Sequence, residues 1–362
     1  MNKKIRVAIL FGGKSAEHEV SLQSAKSIVD AIDNEKYEVV KIGIDKQGRW
    51  LLSDQSDFLL NADNPNRIAL NKSNNELAVL PGHAEKQLVS STNNPIGNVD
   101  VVFPVLHGTL GEDGAMQGLL KLMDVAFVGA DVAGSAVGMD KDIMKRLLRD
   151  AGLPIGTFIS VRKGEEITFE EAKEQVGLPM FIKPANQGSS VGVHKVATDE
   201  EFKAALSDAF TYDSKVLIEE FIKGREIECA VLGNEKPKAS VPGEIIPHHE
   251  FYSYEAKYID ENGAGLEIPA TLSEEVTKQI QETAIKTFKT LACEGMARVD
   301  CFVTNEGKIY INEINTLPGF TKISMYPKLW EASGISYPEL IDQLIQLAIE
   351  RHNRQKNLKT TY

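Results

Sequence analysis

Residues 5–11, Ile-Arg-Val-Ala-Ile-Leu-Phe, are nearly continuously apolar and rich in β-formers. That is the pattern of a strand buried on both faces of a parallel sheet. A turn follows at Gly12, Gly13, Lys14 and Ser15, and Ala25, Ile28, Val29 and Ile32 then recur at helical spacing. The spacing predicts a helix ending near Asn34, and residues 37–44 read as the next strand. Such a βαβ opening belongs to an open α/β sheet. Residues 53–98 are rich in Asn and Ser and predict short strands and turns on the surface of this first unit. Residues 99–106 return to a buried strand, followed by a glycine-rich loop at 107–114 and a helix through Met123. A short strand at 125–128 closes the unit near Gly129.

Residues 139–151 form a charged amphipathic pattern stopped by Gly152 and Pro154. Strands are predicted at 179–183, 193–196 and 215–220, a helix at 202–209, and a small-residue loop at 187–192. A long helix is expected at 274–291, then strands at 296–303 and 308–314 joined by a turn with Asn305, Glu306 and Gly307. Ser336 and Glu339 read as a capping box with Pro338 in the first turn. Leu340, Ile341, Leu344, Leu347 and Ala348 then share a face, and the polar tail from Arg351 is expected to fray.

The length of 362 residues suggests two or three domains, and 42% hydrophobic with 25% charged residues suits a soluble globular chain. The net charge of −12 argues against wrapping a nucleic-acid backbone or docking on an anionic membrane. No apolar run approaches the roughly 18 residues of a membrane-spanning helix, and residues 1–11 hold too short an apolar stretch for a signal peptide. Cys229, Cys293 and Cys301 form no C-x-x-C pair, so a reducing cytoplasm is expected.

Several familiar motifs fail. The Walker A spacing ahead of Gly13, Lys14 and Ser15 demands a glycine where Ala8 stands, and the G-x-G-x-x-G offsets after Gly12 are not met. His18 and Glu19 do not open H-E-x-x-H, since position 22 is Leu22. His248 and His249 lack companion ligands at useful spacing. The strongest constellation is Arg298 and Asp300 on one strand with Glu313 and Asn315 on the next. Residues two apart share a strand face. If the hairpin register lets the pairs meet, two carboxylates and an amide oxygen make a hard site suited to Mg²⁺, with Arg298 beside it to stabilise negative charge. A one-residue slip would leave them as solvated polar positions.

The loop at 187–192 can cradle a phosphate with Lys183 nearby, or be a plain turn. Lys141 is a phosphate ligand or a solvated helix charge. Residues 219–222 are an adenine hinge or an exposed strand end. Tyr252, Tyr254, Lys257 and Tyr258 are a lid or a buried aromatic turn.

Taken in order, these segments resemble the ATP-grasp superfamily, and more closely the D-alanine–D-alanine ligases. The residues are FGGKSAEHEVS at 11–21, LHG at 106–108, GEDG at 111–114, MDK at 139–141, KPANQGSSVG at 183–192, YSYEAKY at 252–258, RVD at 298–300 and NEINTLPGFT at 312–321. The resemblance runs through nearly the whole chain. It implies an α/β fold with α+β elements: an N-terminal open, Rossmann-like domain over 1–129, a central ATP-grasp part over 130–219 with the phosphate loop, and a C-terminal part over 220–362.

It also implies residue roles. Asp300, Glu313 and Asn315 would hold two Mg²⁺ (or Mn²⁺) ions. Lys141, Lys183 and Lys257 would contact the phosphates of ATP under the loop containing Gln187, Gly188 and Ser190, with Asn312 close by. Glu219, Glu220, Phe221 and Ile222 would form the adenine hinge, with Glu226 on the ribose. Glu17 would take the ammonium of the first D-alanine in a group with Ser189 and Tyr258, with His107 nearby. Arg298 and the Gly319 amide would form the oxyanion site, and Ser324 and Met325 would receive the second D-alanine's carboxylate. The implied reaction joins two D-alanine molecules through an acylphosphate, for peptidoglycan precursor synthesis, in a cytoplasmic homodimer with no nucleic-acid or membrane partner.

Lys322 departs from the smaller residue the family often has, which leaves selectivity for the second substrate open. Tyr258 matches the dipeptide-forming members. A D-alanine–D-lactate ligase, or another ATP-grasp carboxylate–amine ligase, is the alternative. A non-catalytic nucleotide-binding regulator is disfavoured by Asp300, Glu313, Asn315 and Arg298.

Overall fold

The computed structural model describes residues 3–53, 58–65, 67–71, 75–82, 87–90, 97–247 and 264–359. The chain opens with β1 (Ile5–Gly12), α1 (His18–Ala31), β2 (Tyr37–Ile44) and β3 (Trp50–Ser53). Four short strands follow: β4 (Leu59–Leu60), β5 (Ala69–Leu70), β6 (Leu77–Val79) and β7 (Leu88–Ser90). Then come β8 (Val101–Val105), α2 (Ala115–Leu122) and β9 (Ala126–Phe127). The first sheet has the order β3-β2-β1-β8-β9. It is parallel except for β3, which pairs antiparallel on the edge. Val7, Ile9 and Phe11 pack on one face of β1 and Ala8 and Leu10 on the other, so the continuous apolar run reflects a strand covered twice. Gly12 ends β1 at φ +93°, where a Cβ would stand 2.2 Å from the Ile44 carbonyl oxygen. Only glycine fits this exit.

The helix expected over 139–151 is α4 (Lys141–Asp150), and a helix the sequence reading did not expect, α3 (Val132–Met139), precedes it. Asp140 stands between them as the N-cap of α4, its Oδ1 accepting from the amides of Asp142 (3.1 Å) and Ile143 (3.2 Å). Residues 132–138 hide α3 because small residues replace the polar–apolar alternation. Gly134 and Gly138 let the helix lie against Ala292 and Thr316, where a Cβ would come within 2.9 and 3.0 Å. The buried ammonium of Lys215 bonds both Asp140 oxygens at 2.7 and 2.6 Å, tying α4 to the next sheet.

That sheet comprises β10 (Phe158–Arg162), β11 (Met180–Pro184), β12 (His194–Val196) and β13 (Lys215–Glu220), in the order β10-β13-β11-β12. The helices α5 (Phe169–Val176) and α6 (Asp199–Tyr212) start with full capping boxes, Thr168 with Glu171 and Thr198 with Glu201.

The third sheet contains β14 (Arg225–Gly233), β15 (Lys238–Ala239), β16 (Gly243–Pro247), β17 (Ala264–Glu267), β18 (Gly295–Val303) and β19 (Ile309–Asn315). Its main order is β17-β16-β14-β18-β19. α7 (Glu274–Thr290) covers one face, and α8 (Met325–Ala332) and α9 (Tyr337–Lys356) close the chain.

Two expectations at the C-terminus are corrected. Ser336 is the N-cap of α9 with Pro338 in the first turn, but its side chain makes no capping bond. Nor does the helix fray at Arg351, which is 2% exposed. Its guanidinium donates to the carbonyls of Gly129 (2.5 Å) and Phe127 (2.7 Å) and stacks 4.5 Å over the Phe127 ring. A charged side chain inside an otherwise polar tail is taken for a solvated one when its buried carbonyl partners, over 200 residues away, are invisible. We predict that Arg351→Met costs about 2–4 kcal/mol in denaturant unfolding, because two buried carbonyls lose a charged donor. A loss below about 1 kcal/mol would show that this clamp contributes little.

Candidate active site

The hairpin of β18 and β19 has the register in which Arg298 opposes Asn315 and Asp300 opposes Glu313. On the other side of β18, Asp300 opposes Glu228 of β14. Three carboxylates therefore stand in a row on one sheet face. Like charges directly across a sheet repel, and here cations answer them. The Arg298 guanidinium bonds both Asp300 oxygens at 2.7 Å and lies 2.9 Å from Glu228 Oε2. Lys141 Nζ lies 3.6 Å from Glu313 Oε2 and donates to the Gln187 carbonyl at 2.7 Å. A bulge follows Asp300, where β19 carries Asn312 as an extra residue between the partners of Asp300 and Cys301. Bulges re-aim side chains, so the sequence neighbours Asn312 and Glu313 both line one cavity.

That cavity, of about 500 Å³, is the size of a small-ligand site. Lys183, Gln187, Gly188, Ser190, Glu219, Glu220, Phe221, Ile222 and Glu226, all singled out above, line it. Ser189 and Ser190 take left-handed backbone, φ 51° and 60°, which costs strain for residues that carry a side chain. Lys183 Nζ sits 2.8 Å from Glu219 Oε2 and 3.4 Å from Asn312 Oδ1. Burial disfavours the charged Glu219 carboxyl, but Lys145 and Lys183 outweigh it and hold it below the usual carboxylate range. Glu220 Oε1 accepts from the Thr157 amide at 2.7 Å.

A second, smaller cavity of about 110 Å³ joins the three sheets. Glu17 and His107 reach it from the first sheet, and Arg298, Asn315, Gly319, Ser324 and Met325 from the third. Ser189 donates to Glu17 Oε1 at 2.5 Å, bridging the loop at 187–192 to the start of α1. A Cβ on Gly319 would stand 2.9 Å from Ser324 Oγ. Ser324 and Met325 form the N-terminal end of α8, whose dipole favours an anion. The two cavities share Lys141, Gly188, Ser189, Ile245 and Glu313.

Every described candidate residue thus lines a cavity except Asp300, which is 3% exposed behind Arg298. Lys257 and Tyr258 lie outside the described residues, as does the whole stretch 248–263. Lys322 is exposed and lines neither cavity. Three contributors escaped the sequence reading: Glu228, Lys145 and Glu112. Glu228 alternates with Glu226 on one strand, a signal at hand once 225–233 is read as a strand.

Glu112 lies 3.9 Å from His107 Nδ1, which also contacts the Leu317 carbonyl at 3.1 Å. His107 Nε2 is buried, with no hydrogen-bond partner among the described residues. Burial disfavours the imidazolium, but Glu112 and the charge of Glu17 outweigh it and raise the His107 pKa. Burial and Glu17 likewise raise Glu112. Both shifts mean that the pair holds a proton which free side chains would release.

The oxygen-only set of Glu313, Asn315 and Asp300 has the chemistry of a hard-cation site. Among the described residues, no three His, Cys, Asp or Glu side chains are grouped to hold a metal. A cation here would therefore draw on Asn315 and on oxygens of its ligand.

Residues 6–130 match the D-ala D-ala ligase N-terminus family, and 147–346 match the D-ala D-ala ligase C-terminus family. The chain belongs to the D-alanine–D-alanine ligase family. A D-alanine–D-alanine ligase of Shouchella clausii is 62% identical, covering 99% of this chain and 98% of that protein. D-alanine–D-alanine ligase A of Escherichia coli is 57% identical, covering 99% and 100%. Among solved structures, the D-alanine–D-alanine ligase of Coxiella burnetii superposes with a TM-score of 0.86 at 44% identity, covering 98% of this chain and 96% of that one. The VanG D-Ala:D-Ser ligase of Enterococcus faecalis gives 0.84 at 35%, covering 96% and 100%. The three-sheet α/β architecture is the ATP-grasp fold of these ligases, and the chain is an enzyme of their kind.

A raised folded-state pKa stabilises the fold below the unfolded value and is lost as pH rises through the folded value. We predict that the stability gap between the parent and His107→Gln is full below pH ~6.5 and shrinks as pH rises above that through the raised folded value. A gap that widens with pH, read from melting curves, would show that the pair does not retain its proton.

Proposed function

We propose that this enzyme joins two D-alanine molecules into D-alanyl-D-alanine at the expense of ATP, for peptidoglycan precursor synthesis. The observation that carries this reading is the shared wall of the two cavities. A nucleotide in the larger one presents its phosphate end to Lys141, Ser189 and Glu313, which also face the smaller one.

Glu17, held by Ser189, takes the ammonium of the first D-alanine and sets its carboxylate toward that wall. A carboxylate oxygen attacks the γ-phosphorus, ADP leaves, and an acylphosphate forms. Lys141 and Lys183 balance the phosphate charge, and the strained loop at 187–192 covers it, so positioning and electrostatics carry the step. Asp300, Glu313 and Asn315 would hold two Mg²⁺ (or Mn²⁺) ions, which neutralise phosphate charge when bound.

The second D-alanine places its carboxylate at Ser324 and Met325, and its free amine attacks the acyl carbon. Arg298 and the Gly319 amide stabilise the tetrahedral oxyanion until the C–O bond breaks and phosphate leaves. On the same reading residues 219–222 hold the adenine and Glu226 the ribose. On this reading the working units are 1–129, 130–219 and 220–362, a division that the three main sheets support. The net charge of −12, and the absence among described residues of a helix able to cross a membrane, support a cytoplasmic enzyme without nucleic-acid or membrane partners. Resemblance alone supports a homodimer.

D-Alanine alone should drive ATP-dependent phosphate release, and replacing half of it with D-lactate or D-serine at neutral pH should not increase the rate. Faster release with either co-substrate would reassign the second site. Glu313→Gln should lower kcat by at least about a hundredfold with unchanged melting; near-normal turnover would remove Glu313 from the phosphate-transfer site.

A further inference from the structure

The nucleotide cavity contains a buried cation that the mechanism above does not use. Lys145 lies one turn after Lys141 on α4 and is 2% exposed. Its ammonium stands 3.4 Å from Glu219 Oε1 and 5.8 Å over the Phe158 ring centroid. The other Glu219 oxygen belongs to Lys183, so one carboxylate is shared by two ammonium groups. Oε1 is buried and, among the described residues, receives no well-aligned hydrogen bond, since the Lys145 contact is an ion pair only. A buried acceptor without a donor calls for an explanation, and this one lines a ligand-sized cavity.

We propose that Lys145 is a positioning residue for the nucleotide, acting through Glu219. It holds Oε1 away from Lys183, so that Oε1 accepts the 6-amino group of adenine and Lys183 keeps its charge for phosphate. The inference rests on the reading that residues 219–222 hold the base. An ionised carboxylate only accepts hydrogen bonds. It therefore welcomes a 6-amino purine and repels a 6-oxo purine, whose oxygen also only accepts. Lys145 and Lys183 keep Glu219 ionised despite its burial. Without Lys145, the carboxylate has Lys183 as its one cationic partner among the described residues and is drawn toward it.

The test is steady-state kinetics of the full chain with ATP and with inosine triphosphate, at saturating D-alanine, for Lys145→Met, Glu219→Gln and the double variant. Lys145→Met should raise the KM for ATP about tenfold with kcat within about twofold. It should leave the KM for D-alanine unchanged and shrink the ATP preference in kcat/KM. In the Glu219→Gln background, Lys145→Met should add nothing, as expected of residues acting as one unit. An unchanged ATP preference in Lys145→Met, or effects that multiply in the double variant, overturns the role of Lys145. An unchanged preference in Glu219→Gln overturns the adenine reading itself and this proposal with it. If melting shows Lys145→Met unfolded, Lys145→Gln, of similar length and uncharged, is read the same way.

Discussion

Three carboxylates side by side on a buried sheet face are the constraint on which the site depends. Glu228, Asp300 and Glu313 oppose one another across β14, β18 and β19, and strand pairing leaves them no room to part. The fold answers with Arg298 between the first two and Lys141 beside the third. Among the described residues two cations thus stand beside three carboxylates, a set whose oxygens suit a divalent cation. The bulge at Asn312 then turns two consecutive residues toward the larger cavity. Arg298 is thereby fixed by two carboxylates before any substrate arrives, the preorganisation an oxyanion site requires.

The rest of the molecule brings other groups to that face. The first sheet supplies Glu17 and His107, and its position relative to the third is held by Arg351, which clamps the segment leading out of β9. The small residues of α3 let it pack tightly against Thr316, next to Leu317 whose carbonyl meets His107. The ion pair of Lys215 with Asp140 fixes the start of α4, and so places Lys141 and Lys145 on consecutive turns. On a chain of net charge −12, Lys141, Lys145, Lys183 and Arg298 nonetheless gather around the two joined cavities.

Much of this was legible in the sequence. The parallel strand β1 was legible because its residues are apolar without alternation. The hairpin at 295–315 was legible because Arg298, Asp300, Glu313 and Asn315 repeat at strand spacing, and only its register needed the structure. What stayed hidden depended on distant partners. Lys145 has the look of a helix-surface lysine until Glu219, 74 residues on, is placed against it. Arg351 looks like tail charge until Phe127 and Gly129 meet it. α3 was hidden because helix packing through glycines leaves no periodic signature, and Glu112 because its partner is a histidine five residues before it across a turn.

The central claim is that the first D-alanine's carboxylate meets the γ-phosphate where the two cavities join. It is tested most directly by turnover with D-alanine labelled with ¹⁸O in its carboxylate. The account predicts one labelled oxygen in the inorganic phosphate for each dipeptide formed, because the attacking oxygen leaves with the phosphate. Unlabelled phosphate alongside normal dipeptide yield would contradict it.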